Sequence, residues 1–360
     1  MSLILAINPG STSTKVAVYE NEKKLLAESL DHPLKTLAQF PEISAQQDFR
    51  KEAIVSLINE AGYSCHDMDA VVGRGGLLKP MPGGVYRVCQ QMLTDLREER
   101  FGVHACNLGA ILADDIATEG GAQAFIVDPP VVDEFADVAR VTGHPGIMRK
   151  SKFHALNHKA IGRRCAVELG HRYDEVRLVV AHLGGGITVA AHDLGRVVDA
   201  NDGLDAEGPM TPERAGTLPA GDLASLCFSG EHSHEEVKWM LTSGGGLVAH
   251  LGTNDLREVK KMIAAGNKEA NLSFRAMAYQ VAKEVGACAC ALSGSVDAIA
   301  LTGGMAHDEE FVELIRSRVE WIAPVKVYAG EDELLSLTTG ALRVIQGAEV
   351  AKDYLHDLSD

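Results

Sequence analysis

Residues 178–201 read LVVAHLGGGITVAAHDLGRVVDAN. Three short β-branched runs, 178–182, 187–192 and 196–199, have the composition of strands. Gly184-Gly185-Gly186 separates the first two, and Asp193-Leu194-Gly195 the last two. Three glycines in a row remove every Cβ from the turn, so its backbone can take positive φ and converge its N–H groups on one point. That concavity suits an anion, above all a phosphate; alone, it is equally a tight hairpin with no ligand. A second copy of the unit shifts the balance. Residues 3–7, 16–19 and 25–29 repeat the strand–turn–strand–turn–strand pattern, with Asn8-Pro9-Gly10-Ser11-Thr12-Ser13-Thr14-Lys15 as the first turn. Hydroxyl-rich turns are often only turns, but a lysine beside the turn amides favours phosphate.

Composition narrows the class. A chain of 360 residues with 46% hydrophobic and 23% charged residues is globular and long enough for two domains. The formal net charge of −16 repels nucleic acid and anionic membranes, so cationic partners for an anionic substrate must be local. The seven cysteines form no CxxC pair, the usage of a reducing compartment. The chain opens straight into a strand, without a signal peptide, and the apolar stretch 281–305 is broken by glycines, Glu284 and Asp297. A cytoplasmic protein that neither crosses a membrane nor binds nucleic acid is expected.

Several tempting motifs fail. Residues 10–15 lack the second glycine and the helix start of a Walker A loop, and no GxGxxG follows a strand. His154 and His158 stand at i, i+4 in an expected helix 151–169, but HExxH is not met and no third zinc ligand is evident. Other features stay open. Arg74, among glycines at the end of strand 69–72, suits a ligand or a salt bridge. Asp128 precedes Pro129-Pro130, which throws it out of the sheet edge, where it suits magnesium or caps a turn. Arg214 lies in a Pro/Gly-bounded loop, 208–219. Helices are expected over 49–58, 90–101, 105–118, 219–228, 234–242, 255–265, 273–292, 308–321 and 334–346, and further strands at 83–88, 125–128, 296–301 and 325–328.

Two strand–phosphate turn–strand hairpins, each followed by helices and strands, resemble the superfamily of acetate kinase, sugar kinases, Hsp70 and actin. Within it the chain is similar to the short-chain carboxylate kinases of the acetate kinase family, and among them to the butyrate kinases. The matching motifs span nearly the whole chain: NPGSTSTK (8–15), FHALNH (153–158), AHLGGGIT (181–188), GPMTPERAG (208–216), NDLR (254–257) and TGGMA (302–306). The resemblance implies an α/β fold of two RNase H-like domains, 1–148 and 149–333, with a nucleotide cleft between them. It also implies a last segment, 334–360, that packs on the first domain. A hinge is expected near 144–151. ATP/ADP and Mg²⁺ are the implied cofactors, a small carboxylate the substrate, and a homodimer or larger homo-oligomer the assembly.

Carried over residue by residue, the resemblance places Asn8, Ser11, Ser13 and Lys15 at the first phosphate turn and Gly184, Gly185 and Gly186 at the second. It places Asp128 near the metal and the phosphoryl group, His154 and His182 at that group, and Arg74 and Arg214 as catalytic arginines. Arg74 also faces the substrate, as does Phe153. Asp255, Leu256 and Arg257 contact the nucleotide, with Gly303 and Gly304 around the adenine. Three positions depart from acetate kinase: Gly185 replaces an asparagine, Arg74 directly precedes Gly75-Gly76, and Ala306 falls where a metal-proximal glutamate is expected, leaving Asp308, Glu309 or water as substitutes. The implied chemistry passes the γ-phosphoryl group of ATP to a carboxylate. A short fatty acid, with a pKa near that of Glu (about 4.3), is ionised at neutral pH and needs no general base. Bringing two anions together is the difficulty, so positioning and electrostatics carry catalysis. The remote alternative is an Hsp70- or actin-like ATP-dependent binding protein.

Overall fold

The computed structural model of the chain describes residues 1–355. The backbone divides into two units, Met1–Asp133 with the chain from Asp332 onward, and Glu134–Glu331. The first unit holds six strands: β1 (Leu3–Pro9), β2 (Ser13–Glu20), β3 (Lys23–Asp31), β4 (Ala70–Gly73), β5 (Val85–Arg87) and β6 (Gln123–Val127). The second holds β7 (Arg177–Leu183), β8 (Ile187–Asp193), β9 (Arg196–Ala200), β10 (Ala298–Gly303) and β11 (Val325–Ala329). Sheet orders are β3-β2-β1-β4-β6-β5 and β11-β10-β7-β8-β9. Traced from β1 and from β7, the two sheets match in an antiparallel β1-β2-β3 or β7-β8-β9 meander on one side and parallel β4-β6 or β10-β11 on the other, with β5 added antiparallel at the edge of the first sheet. The expected two-domain α/β fold is therefore present, with a mixed sheet in each unit.

Alternation along the strands dictates which helix covers which face. In the second unit Val179, Ala181, Leu183, Ile187, Val189 and Ala191 pack with Phe274, Met277, Val281 and Val285 of helix Lys268–Ala291. The opposite face presents Leu178, Val180, Ala298 and Ala300 to Cys165 and Ala166 of helix Ala155–Glu168. In the first unit Leu5, Ile7, Val16 and Val18 share a core with Ile54 and Ile58 of helix Gln47–Glu60 and with Leu108, Ile111 and Leu112 of helix Leu108–Gly120. The parallel strands β4 and β10 are buried along their whole length, as strands covered on both faces are.

Some boundaries differ from the sequence reading, each for a local reason. The units change over at 133/134 rather than 148/149, because Glu134 is tied to the second sheet. Its carboxylate pairs with Lys159 at 2.9 Å and accepts the Val197 N–H at 2.8 Å. Arg149 adds an ion pair to Asp199 on β9 at 2.7 Å. The helix expected over 151–169 begins at Ala155, with His154 as its non-helical N-cap residue. The carboxyl-terminal helix Glu333–Ile345 belongs to the first unit, where Gly340 lies against Val127 of β6. Residues 356–360 of the expected last segment lie outside the described residues. Among the described residues no helix is long and apolar enough to cross a membrane.

Candidate active site

The glycine turn of the second unit is shaped differently from the sequence expectation. None of Gly184, Gly185 and Gly186 takes a positive φ. Their value lies in close approach. A Cβ on Gly184 would come within 2.9 Å of His182 Nε2, and one on Gly186 would lie 1.7 Å from Arg214 Nη1. The loop carrying Arg214 is bolted to the same turn: Thr211 Oγ1 donates to the Gly185 carbonyl at 2.7 Å and accepts the Arg214 N–H at 2.9 Å. The Thr211 N–H in turn donates to the Arg214 carbonyl at 3.0 Å. Arg214 therefore has a fixed backbone, and its guanidinium lies over Gly186. Its Nε and Nη1 are buried and make no hydrogen bond within the protein. A buried donor without an acceptor is costly, and a guanidinium fork matches a phosphate or carboxylate.

The strand–helix register assembles four imidazoles beside this turn. His182 and Thr188 are cross-strand partners on β7 and β8. Thr188 and His192 lie four residues apart on β8 and share the face toward helix Ala155–Glu168. From that helix and its N-cap, His154 Nδ1 meets Thr188 Oγ1 at 2.9 Å and His158 Nε2 meets the same oxygen at 2.8 Å. The i, i+4 pair thus straddles a hydroxyl. The ring of His154 stacks on that of His182, centroids 4.0 Å apart, while His182 Nδ1 bonds Asn157 Oδ1 at 3.0 Å. Burial, together with neighbouring imidazoles for His158 and nearby cations for His192, holds both rings well below the ordinary histidine pKa, so both are neutral. Phe153 is buried, edge-on to His158.

In the first unit a residue the sequence reading passed over organises the turn. Arg50, on helix Gln47–Glu60 and 1% exposed, donates from Nη1 to Gly10 O (2.9 Å), Ser13 O (3.2 Å) and Thr14 Oγ1 (3.0 Å). Its Nη2 donates to Ser11 O at 3.3 Å and Gln46 Oε1 at 2.8 Å. These partners are neutral oxygens, and burial lowers its pKa to about 10. The arginine stays charged at neutral pH, so a buried positive charge underlies the turn. Ser11 and Lys15 are exposed and Ser13 is half-buried.

A carboxylate far away in sequence completes this half. Glu333, first residue of helix Glu333–Ile345, accepts from Asn8 Nδ2 at 2.5 Å and from Arg74 Nη1. No local motif announces it; only the return of the chain to the first unit brings it there. Asp128 follows β6 but is buried, not thrown clear of the sheet. Its φ of 37° is in the left-handed region that Asp tolerates, and its Oδ1 accepts the Gly84 N–H at 2.7 Å. Asp308, one substitute considered for the glutamate absent at Ala306, instead caps helix Glu309–Val319 through the Phe311 N–H at 2.8 Å and pairs with Lys260. Glu309 is exposed in that helix's first turn.

The remaining residues are dispersed. Asp255 caps helix Leu256–Ala264 by accepting the Arg257 N–H and pairs with the Arg257 guanidinium at 2.7 Å. That pairing lowers its pKa to about 2. Gly303 ends β10 at a φ of 90°, against the Leu183 backbone, and Gly304 is exposed. Among the described residues no cluster of three or more His, Cys, Asp or Glu side chains is placed to hold a metal. Magnesium does not require one, since it keeps several waters and takes one or two carboxylates plus substrate phosphates. Asp128 and Glu333 are carboxylates of the chemical type magnesium takes.

Comparison with known proteins bears on the family and the fold. The model of the acetokinase family matches residues 136–333, more than half of the chain. Acetate kinase from Porphyromonas gingivalis is similar in structure, with a TM-score of 0.78 at 21% identity, covering 96% of this chain and 100% of that one. A propionate kinase from Francisella tularensis subsp. tularensis SCHU S4 superposes with a TM-score of 0.71 at 19% identity, over 94% and 99% of the two chains. A ROK family protein from Streptococcus pneumoniae TIGR4 shares the fold at a TM-score of 0.52 and 12% identity, over 96% and 99%.

Proposed function

The chain belongs to the acetokinase family of carboxylate kinases, and from that premise we propose that it phosphorylates butyrate to butyryl phosphate with ATP, reversibly and by direct in-line transfer. The observation that carries the reading is the Arg214 guanidinium, whose Nε and Nη1 are buried without a protein acceptor and which is seated in the space of the Gly186 Cβ. A fixed fork of donors beside a stacked histidine pair suits the equatorial oxygens of a phosphoryl group in transfer.

In this reading His154, His182 and Arg214 bind and orient the phosphoryl oxygens, and the amides of Gly184–Gly186 and of the 8–15 turn hold phosphates. Arg74 takes the substrate carboxylate, and Phe153 shapes the substrate side. Asp255, Leu256, Arg257, Gly303 and Gly304 serve the nucleotide. Asp128 and Glu333 would hold magnesium, which neutralises phosphate charge when bound. Glu333 keeps Arg74 and Asn8 in place meanwhile, since its carboxylate bonds both. No general base is required, because the acceptor is already an anion.

Butyrate is chosen on the resemblance of the motif set as a whole to the butyrate kinases, while FHALNH and GPMTPERAG separate the chain from Hsp70- and actin-like proteins and not one short acid from another. Acetate, propionate and isobutyrate are the alternatives, and two similar structures are named acetate kinase and propionate kinase. A methylene is worth about 1–3 kcal/mol in an apolar pocket, so neighbouring acids will overlap. Trapping of acyl phosphate as hydroxamate, with Mg·ATP and straight and branched acids from acetate to valerate, tests the choice. A kcat/KM maximum at butyrate supports the reading, and a maximum at another acid moves the substrate. We further propose a cytoplasmic homo-oligomer, to be checked by sedimentation.

A further inference from the structure

Two buried histidines of the second unit have no part in the proposed transfer, yet they are wired to one that does. Tyr173 Oη lies 2.7 Å from His192 Nδ1, His192 Nε2 lies 3.4 Å from His158 Nδ1, and His158 Nε2 lies 2.8 Å from Thr188 Oγ1. Thr188 Oγ1 then lies 2.9 Å from His154 Nδ1. Both intermediate rings and the threonine are 0% exposed, whereas Tyr173 and His154 are half-buried. The pathway is built rather than incidental. A Cβ on Gly162 would come within 2.7 Å of Tyr173 and 3.2 Å of His192 Nδ1, so only glycine lets the helix pass over this pair.

We propose that Tyr173, His192, His158 and Thr188 form a one-directional hydrogen-bond chain that fixes His154 as the tautomer with an unprotonated Nδ1 and a protonated Nε2. Inference and test rest on His154 having the phosphoryl-binding role given above. In a chain of neutral imidazoles each ring donates through one nitrogen and accepts through the other, and a Thr188 hydroxyl that accepts the His158 N–H has one proton to pass on to His154 Nδ1. In one direction Tyr173 donates to His192, His192 to His158, His158 to Thr188 and Thr188 to His154, which leaves Nε2–H as a donor. In the other direction every link reverses and His154 Nε2 offers only a lone pair, which repels a phosphoryl oxygen.

Charge selects the first direction. Arg163 sits over the Tyr173 ring at 5.4 Å and Lys159 at 5.6 Å, with Lys159 partly neutralised by Glu134. Cations at that end favour the electron-rich end of the chain beside them, with the tyrosine hydroxyl pointing its proton inward. The depressed pKa values of His158 and His192 keep both rings neutral, as a directional chain requires. Tyr173, His192, His158 and Thr188 are thus positioning residues, and His154 is the group that touches the substrate.

Selective ¹⁵N labelling of histidine in the full chain reads the tautomer directly, with His154→Ala used only to assign the resonances. The wild type should show unprotonated Nδ1 and protonated Nε2 at His154. In Tyr173→Phe, which keeps every ring, His154 should become a tautomer mixture, although Tyr173 is two imidazoles and a hydroxyl away. Turnover should fall about tenfold, the size of an outer-shell effect, while KM for both substrates holds. His192→Phe should do the same more completely. A wild-type His154 protonated on Nδ1 overturns the proposal, and so does a His154 signal unmoved in Tyr173→Phe. Because the spectrum is read without turnover, an intact tautomer chain in a protein that phosphorylates no acid would reject the kinase reading and leave the chain standing.

Discussion

Replacing Gly186 with alanine separates the catalytic claim from stability more cleanly than deleting Arg214. The added methyl would lie 1.7 Å from Arg214 Nη1 and 2.9 Å from its Cζ, so the guanidinium must leave. The backbone itself is undisturbed, because Gly186 is not at positive φ and its next neighbour, the Gly203 carbonyl, stays at 3.4 Å. The displaced group is half-buried, with Nε and Nη1 buried and without an acceptor, so its release should leave the melting temperature unchanged or slightly raised. Turnover should fall about 10³-fold, or about 4 kcal/mol of transition-state stabilisation, the lower end of what an arginine at the transferred phosphoryl group supplies. Acyl phosphate formation at saturating substrates measures it. The double variant with Arg214→Ala should be no slower than Arg214→Ala alone, because both changes remove one interaction. Turnover within about threefold of wild type in Gly186→Ala would refute the reasoning.

Other outcomes follow from the same contacts. Arg50→Lys keeps a charge but loses the fork that holds three turn carbonyls, so nucleotide affinity, read by calorimetry, should drop about tenfold. Arg50→Met should lose about 3 kcal/mol or more of unfolding free energy as well, by urea titration. Glu333→Gln should raise the magnesium concentration for half-maximal activity about tenfold; an unchanged titration places the metal elsewhere. The buried neutral rings of His158 and His192 also set a pH dependence. Their folded pKa values lie well below the ordinary 6.5, so the unfolded chain binds more protons below that pH, and stability falls with decreasing pH. The slope should approach about 1.4 kcal/mol per pH unit for each ring below about pH 6.5. His192→Phe should flatten it in denaturant titrations.

Much of the frame was legible because its signals are local. The β-branched runs around 178–201 and their copy near the amino terminus mark β1–β3 and β7–β9, and the largely apolar runs 69–72 and 296–301 mark β4 and β10. At the proposed site, the motifs singled out Arg214, His154 and His182, and the fold sets His154 against His182 and Arg214 against the glycine turn. The site was opaque where function rests on distance. Glu333 reaches Asn8 across 325 residues and Arg74 across 259, and nothing near it advertises that role. Arg50 reads as one charge on an amphipathic helix until the turn it holds is seen. The glycines of the second turn read as conformational freedom, whereas close approach of His182 and Arg214 is what excludes a side chain. The His154–His158 spacing invited a metal, yet the strand opposite supplies Thr188 between them.

The central claim, transfer of a phosphoryl group from ATP to a carboxylate, is tested most directly by ³¹P NMR of the protein with Mg·ATP and butyrate. The account predicts an acyl phosphate resonance growing in step with ADP, abolished in Arg214→Ala. Release of inorganic phosphate alongside ADP, with no acyl phosphate from any short acid, would contradict it and favour an ATP-driven binding protein on the same fold.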